Sequence, residues 1–394
     1  SQQVNCQKGG HMGNEWRLVI IANPYPWVNQ RGGASADCMV ELISELKGVG
    51  VDDVHWEVIR NHTLYPSEVG EILPSSEQWP GDKPISDFAH TVNPFEMDVV
   101  PLVCMNRHYH GEVREFLQTS WAKTRWGLLA STPNGDRLGN GHVMDHLWSE
   151  VENHSTVLLN EVVSLSQNGV HLDFTRGVAL IGFGNPLRAA WTAFESGISD
   201  FDDLISIANG ADVGEGPPFS AWDEFPSGIH ELRCQLTLHL LHRMLDNAGC
   251  SSDGVHIRML LREKEWMRVE YGIDVDLWIQ SGIASEFSFH NEWVDGEDCE
   301  WWSLSPLSDY VTACHENNLL CFASVDWYGT GLTSQRPVID EAHQVPLPSP
   351  ATTRPPNTEL LLTWVDGVLT RDVDGLMIYD GHLGQLGGGI EVCK

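Results

Sequence analysis

The sequence places acids where their carboxyl groups would be held rigidly, at the ends of short apolar runs, and two such groups, one protonated and one charged, can act as acid and nucleophile on opposite sides of one bond. Asp173 closes Val170-His-Leu-Asp173, and Arg176 follows three residues later, placed to hold the carboxylate by a charge-assisted contact. Asp326 closes the run that starts at Leu319, and Glu263 and Glu292 each follow another run. The expected catalytic set is therefore Asp173, as nucleophile or acid, with Asp326, Glu263 or Glu292 as the second carboxyl. An acid at a strand end can equally be a cap or a salt-bridge partner, so position alone leaves both roles open.

A binding set surrounds these acids. Asn23, His62, Asn106, His108, Tyr328 and Asp380 fall at or just past the ends of other apolar runs, and Arg176 joins them. Trp27, Trp293 and Trp327 are candidate platforms for the apolar faces of sugar rings. The chain has 16 Trp, and each reads equally well as a large core residue. His108 and His110 form an H-x-H on a loop with no placed acid, which suits polar lining better than a metal. None of the nine Cys pair as C-x-x-C, and there is no H-E-x-x-H, Walker sequence, G-x-S-x-G elbow or G-x-G-x-x-G after the first apolar run. No metal and no cofactor are expected.

Eight apolar runs must position these residues. They cover about 17–23, 54–60, 98–106, 170–174, 255–261, 284–289, 319–326 and 375–380. Helical spacing fills the intervals at about 35–47, 153–166, 228–247, 306–316 and 359–370, and Asp274 caps a short helix carrying Trp278. Strand and helix in eightfold alternation, with each strand mostly apolar, predicts an α/β fold, a (β/α)8 TIM barrel with long loops at its C-terminal face. Residues 1–15 are polar and Gly-rich and read as a flexible arm. The barrel is expected as a single domain over 16–394, its strands and helices within 16–382, with 177–226 as an insertion of short helices. Cys104 and Cys321 read as small buried hydrophobes.

The formal net charge of −32 argues against nucleic acid and anionic membrane surfaces, and no apolar run reaches the roughly 20 residues of a membrane span. A first residue that is Ser rather than Met fits a removed signal peptide, so a secreted or periplasmic protein is expected.

Three stretches carry a family resemblance. Gly169-Val-His-Leu-Asp-Phe-Thr-Arg176 resembles the strand D-G-[IV]-x-[LF]-D-[FW]-x-R of the glycosyl-hydrolase-like barrel proteins of bacteria, related to the family-10-like group. Arg258 through Tyr271-Gly-Ile-Asp-Val-Asp-Leu-Trp-Ile-Gln-Ser-Gly282 resembles their fifth strand and the helix after it. Val373-Asp-Gly-Leu-Met-Ile-Tyr379 is similar to their eighth strand. Weaker echoes are Asn61-His-Thr-Leu-Tyr-Pro-Ser67 and Met105-Asn-Arg-His108. The resemblance implies the barrel, and by analogy carbohydrate chemistry. The expected function is a glycoside hydrolase acting on a poly- or oligosaccharide. The alternatives are a carbohydrate-binding barrel without turnover and a metal-dependent hydrolase using His62, His108 and Asp173.

Overall fold

A computed structural model describes residues 16–22, 44, 46–48, 50–59, 62–72, 97–106, 119–138, 143–166, 168–175, 179–211, 226, 228–291, 304–326 and 358–380. Its eight strands are β1 (Arg17–Ala22), β2 (Asp53–Ile59), β3 (Asp98–Cys104), β4 (Val170–Asp173), β5 (Val255–Leu260), β6 (Glu286–His290), β7 (Leu320–Asp326) and β8 (Gly375–Asp380). All neighbours pair in parallel, and β8 closes on β1. The chain is a (β/α)8 barrel. Around it lie α1 (Ser149–Leu165), α2 (Asn185–Glu195), α3 (Phe201–Asn209), α4 (Ile229–Asn247), α5 (Val275–Ser281), α6 (Ser305–Glu316) and α7 (Thr358–Leu369).

Local chemistry sets the helix ends. The Asp200 carboxylate caps α3 by accepting from the Asp202 and Asp203 N–H groups, and Asp274 caps α5 by accepting from Leu277 N at 3.1 Å. The α2–α3 pair is the described part of the insertion after β4. Outward strand residues such as Val170 and Leu172 are fully buried under the helices, and each such side chain contributes about 1.5–3 kcal/mol.

The inner face of the strands departs from the apolar expectation. Apolar and polar residues alternate along β2, β4, β5 and β6, so that Asp53, His55, Glu57, His171, Asp173, His256, Arg258, Glu286, Ser288 and His290 are all buried. Carried once around the ladders, the register returns to β1 eight residues from its start, the shear of this fold. Inward side chains then stack in layers drawn from alternate strands. One central layer is His55, His171, Ser288 and Met377. Two residues further along the same strands, Glu57, Asp173, His290 and Tyr379 form the layer at the C-terminal mouth. Between them lie Ile21, Leu102, Arg258 and Ser324. The apolar side of the lumen is built from Val19, Ile21, Leu102, Phe322 and Met377.

The N-terminal end of the barrel is closed by charge. Arg17 donates to Asp53 (Nε to Oδ2, 2.9 Å) and to Glu286 (Nη1 to Oε1, 2.7 Å), and His256 Nδ1 lies 2.6 Å from Glu286 Oε2. Burial opposes the charge on Glu286, but His256 and Arg17 outweigh it and hold the carboxyl at about 2.

Two glycines of the motif stretches stand where strands meet most closely. A Cβ on Gly169, whose φ is +89°, would sit 1.9 Å from the Gly254 carbonyl oxygen, and one on Gly375 would sit 2.1 Å from that of Arg17. Gly169→Ala is expected to cost about 3 kcal/mol or more in urea denaturation, because backbone must move. Gly282→Ala, with φ +66° and nothing within 4 Å, should cost only the left-handed strain of about 1–2 kcal/mol.

Candidate functional site

Asp173 ends β4, with its carboxylate 1% exposed at the mouth. Its Oδ1 accepts from the Thr175 N–H at 2.9 Å and the Thr175 hydroxyl at 2.7 Å. Its Oδ2 accepts from Arg258 Nη1 at 3.2 Å and lies 3.8 Å from the Cys104 sulfur. Thr175 and Arg258 both donate to it, a set complementary to a charged carboxylate.

Arg258, also 1% exposed, organises the rest. Besides Asp173 it donates from Nη1 to Thr175 Oγ1 (3.3 Å), from Nε to Ser324 Oγ (3.0 Å) and from Nη2 to His290 Nδ1 (2.8 Å). Its guanidinium lies 5.2 Å from the centre of the Tyr379 ring. Guanidinium only donates, so Nδ1 of His290 must accept, which assigns the proton of the neutral ring to Nε2.

A second carboxyl faces Asp173 across the thiol. Glu57, on β2 and 1% exposed, accepts from Cys104 Sγ at 3.3 Å and from the Tyr379 hydroxyl at 3.4 Å. The two contacts of the thiol place Glu57 Oε1 and Asp173 Oδ2 within about 7 Å of each other, on the scale of carboxyl pairs that act across a glycosidic bond.

The expected residues divide three ways. Asp173 lies in the mouth, and Asp326 and Asp380 end β7 and β8, in register with Tyr379 and Ala22. Glu263 is exposed at the start of the short helix after β5; with burial and Asp276 it raises the Tyr310 hydroxyl, and nothing described joins it to Asp173. His62 is buried in the loop after β2, where burial pushes its imidazole down against the opposing charge of Glu71. Asn106 is a clamp. Its amide donates to the Met144 (2.7 Å) and Ala179 carbonyls and its oxygen accepts from Met144 N at 3.0 Å, stitching the end of β3 to two loops. Asn23, Trp27, His108, Arg176, Glu292, Trp293, Trp327 and Tyr328 lie outside the described residues. Among the described residues no three His, Cys, Asp or Glu side chains are arranged to hold a metal ion.

The mouth's supporting wall explains the α5 motif. Trp278 is fully buried and packs edge-on against Phe174, the residue after Asp173, with ring centres 5.2 Å apart. Arg233, fully buried in α4, donates to the Ile181, Val269 and Glu270 carbonyls and so ties the loop after β4 to the turn before α5. Glu57, Cys104, Arg258 and Tyr379 were not expected in the site. The alternation of polar and apolar residues inside β2 and β5 is the signal that points to Glu57 and Arg258.

No protein-family model matches the sequence, and no curated protein matches it. Solved structures do match the fold. The glycoside hydrolase domain of PgaB (BpsB) from Bordetella bronchiseptica superposes with a TM-score of 0.59 at 9% identity, covering 96% of this chain and 97% of that one. The catalytic domain of β-amylase from Paenibacillus polymyxa gives 0.55 at 11% identity over 96% and 98%. The β-galactosidase of Marinomonas ef1 gives 0.55 at 13% identity over 92% of this chain and 54% of that one. At these identities the likeness establishes a barrel fold that these glycoside hydrolases share, and nothing finer.

Arg258→Ala is expected to destabilise the barrel by about 3–5 kcal/mol, because it strands a buried carboxylate. In a double-mutant cycle, adding Asp173→Ala should recover at least about 1 kcal/mol of that loss; strict additivity would mean the two groups are not coupled.

Proposed function

We propose that this barrel is a glycoside hydrolase acting on a poly- or oligosaccharide, related to the family-10-like bacterial barrels and working outside the cytoplasm. Asp173 is the charged carboxylate and Glu57 the carboxyl that faces it, with Asp326 the further acid at the same mouth. The observation that carries this reading is the thiol-bridged pair, Glu57 and Asp173, in the top layer of the barrel. In the reaction the bond from the anomeric carbon to the leaving oxygen breaks. Glu57, in its protonated form with the proton on Oε2 beside the Tyr379 hydroxyl, gives that oxygen its proton, and Asp173 meets the positive charge developing on the sugar. Water then supplies a hydroxyl to the sugar, and its remaining proton returns to Glu57. Arg258 and Thr175 position Asp173 without entering the chemistry.

A second reading, a carbohydrate-binding barrel without turnover, is favoured by one observation: both carboxyls are 1% exposed and engaged by protein donors. The two readings part at one substitution. Asp173→Asn keeps the shape and removes the charge. It should lower kcat by several orders of magnitude on any glycan that the wild type cleaves, with saccharide binding little changed, while the melting curve falls because Arg258 loses its buried counter-ion; the rate loss is read on the folded protein. Glu57→Gln should lower it by about 10²–10⁴-fold. A near-normal rate for Asp173→Asn clears it of a chemical role, and a wild type that binds but cleaves nothing in a broad glycan panel supports the binding barrel.

A further inference from the structure

The central layer of the lumen holds two groups that the mouth does not use. His55 and His171 are both fully buried and meet through their Nδ1 atoms, with ring centres 4.6 Å apart. Two neutral rings can make that contact only if one Nδ1 donates and the other accepts. Among the described residues the enclosed Nε2 atoms of both rings have no hydrogen-bond partner. We propose that the His55–His171 pair is an acid-sensitive latch, which keeps the barrel closed while both rings are neutral and releases it when they take up protons.

The surroundings give the latch its sign. Facing His55 are His171 on β4, His256 on β5 (5.1 Å between ring centres), Glu286 on β6 and Arg17 on β1. Facing His171 are His55, His256 at 6.3 Å and Arg258. The nearby carboxylates are engaged elsewhere. Glu286 is taken by Arg17 and His256, Asp53 by Arg17, Asp173 by Arg258 and Thr175, and Glu57 by Cys104 and Tyr379. A first extra proton on the pair must go to an enclosed nitrogen with no counter-ion in contact. A second must go to the accepting Nδ1, and that breaks the contact itself.

Burial lowers both imidazoles well below their ordinary range, reinforced for His55 by His171 and His256 and for His171 by His256 and Arg258. A depressed folded value means that the neutral pair contributes its stability above the unfolded value of about 6.5 and loses it as the pH falls from there. The Glu286 network, held at about 2, loses its contribution only below about 4.3, so the two windows are separate.

The test is urea unfolding of the full chain at several pH values between 7.5 and 5, for the wild type and for His55→Gln/His171→Gln. Other depressed histidines, such as His146 and His154 at about 4, are common to both proteins and cancel in the difference. Below about pH 6 the wild-type folding constant should fall by up to about a hundredfold more per pH unit than that of the double variant, one tenfold factor for each ring. Equal pH slopes would overturn the latch. Should the double variant not fold, side-chain ¹⁵N NMR of the wild type decides. The account expects two rings to stay neutral until the folded signals vanish. If every histidine titrates near 6.5 in a barrel that stays folded, the latch is wrong.

Discussion

One guanidinium holds the mouth together. Arg258 reaches from β5 to Asp173 on β4, Thr175 beyond it, His290 on β6 and Ser324 on β7, and it lies under the Tyr379 ring of β8. A planar fork with five donors is the side chain that can satisfy so many acceptors from one place, and Lys would leave several unmet. Its burial costs free energy that only a complete set of partners offsets. The geometry of Asp173, the tautomer of His290 and the seat of Ser324 are therefore one arrangement rather than three.

Arg258 belongs to a larger departure from the usual barrel interior. A (β/α)8 lumen is normally filled by branched apolar side chains. Here the side formed by β2, β4, β5 and β6 carries imidazoles, carboxylates and Arg258, with Arg17 of β1 reaching it at the N-terminal end, while Val19, Ile21, Leu102, Phe322 and Met377 keep the other side apolar. Buried polar groups are tolerable when paired, and most of these are: Arg17 with Asp53 and Glu286, His256 with Glu286, Arg258 with Asp173. Among the described residues the exceptions in this lumen are the Nε2 atoms of His55 and His171 and the Ser288 hydroxyl of the same layer.

The fold was legible because strand and helix periods differ. The run beginning at Arg17 and the runs at 255 and 375 coincide with β1, β5 and β8 to within a residue, and the Asp274 cap lies where the sequence puts it. Asp173 was legible as a lone acid closing an apolar strand. Glu57 was not, because it lies inside β2, where only the two-residue alternation of polar and apolar side chains, and not the strand's end, marks an inward position. Arg176 is three residues from Asp173 and was the natural partner to name, whereas Arg258 reaches it from 85 residues away through strand adjacency. Asn106 shows the opposite limit. A polar residue at a strand end was expected to face the ligand, yet its amide is used by the Met144 and Ala179 backbone.

In the proposed reaction Glu57 and Asp173 flank the bond that breaks. A crystal structure of the Asp173→Asn protein with a bound, uncleaved oligosaccharide measures this directly. The glycosidic oxygen should lie within hydrogen-bond reach of Glu57, about 3 Å, and the anomeric carbon about 3–3.5 Å from the substituted side chain. A saccharide seated in the mouth with both side chains sealed beneath it, out of reach of the bond, would contradict it.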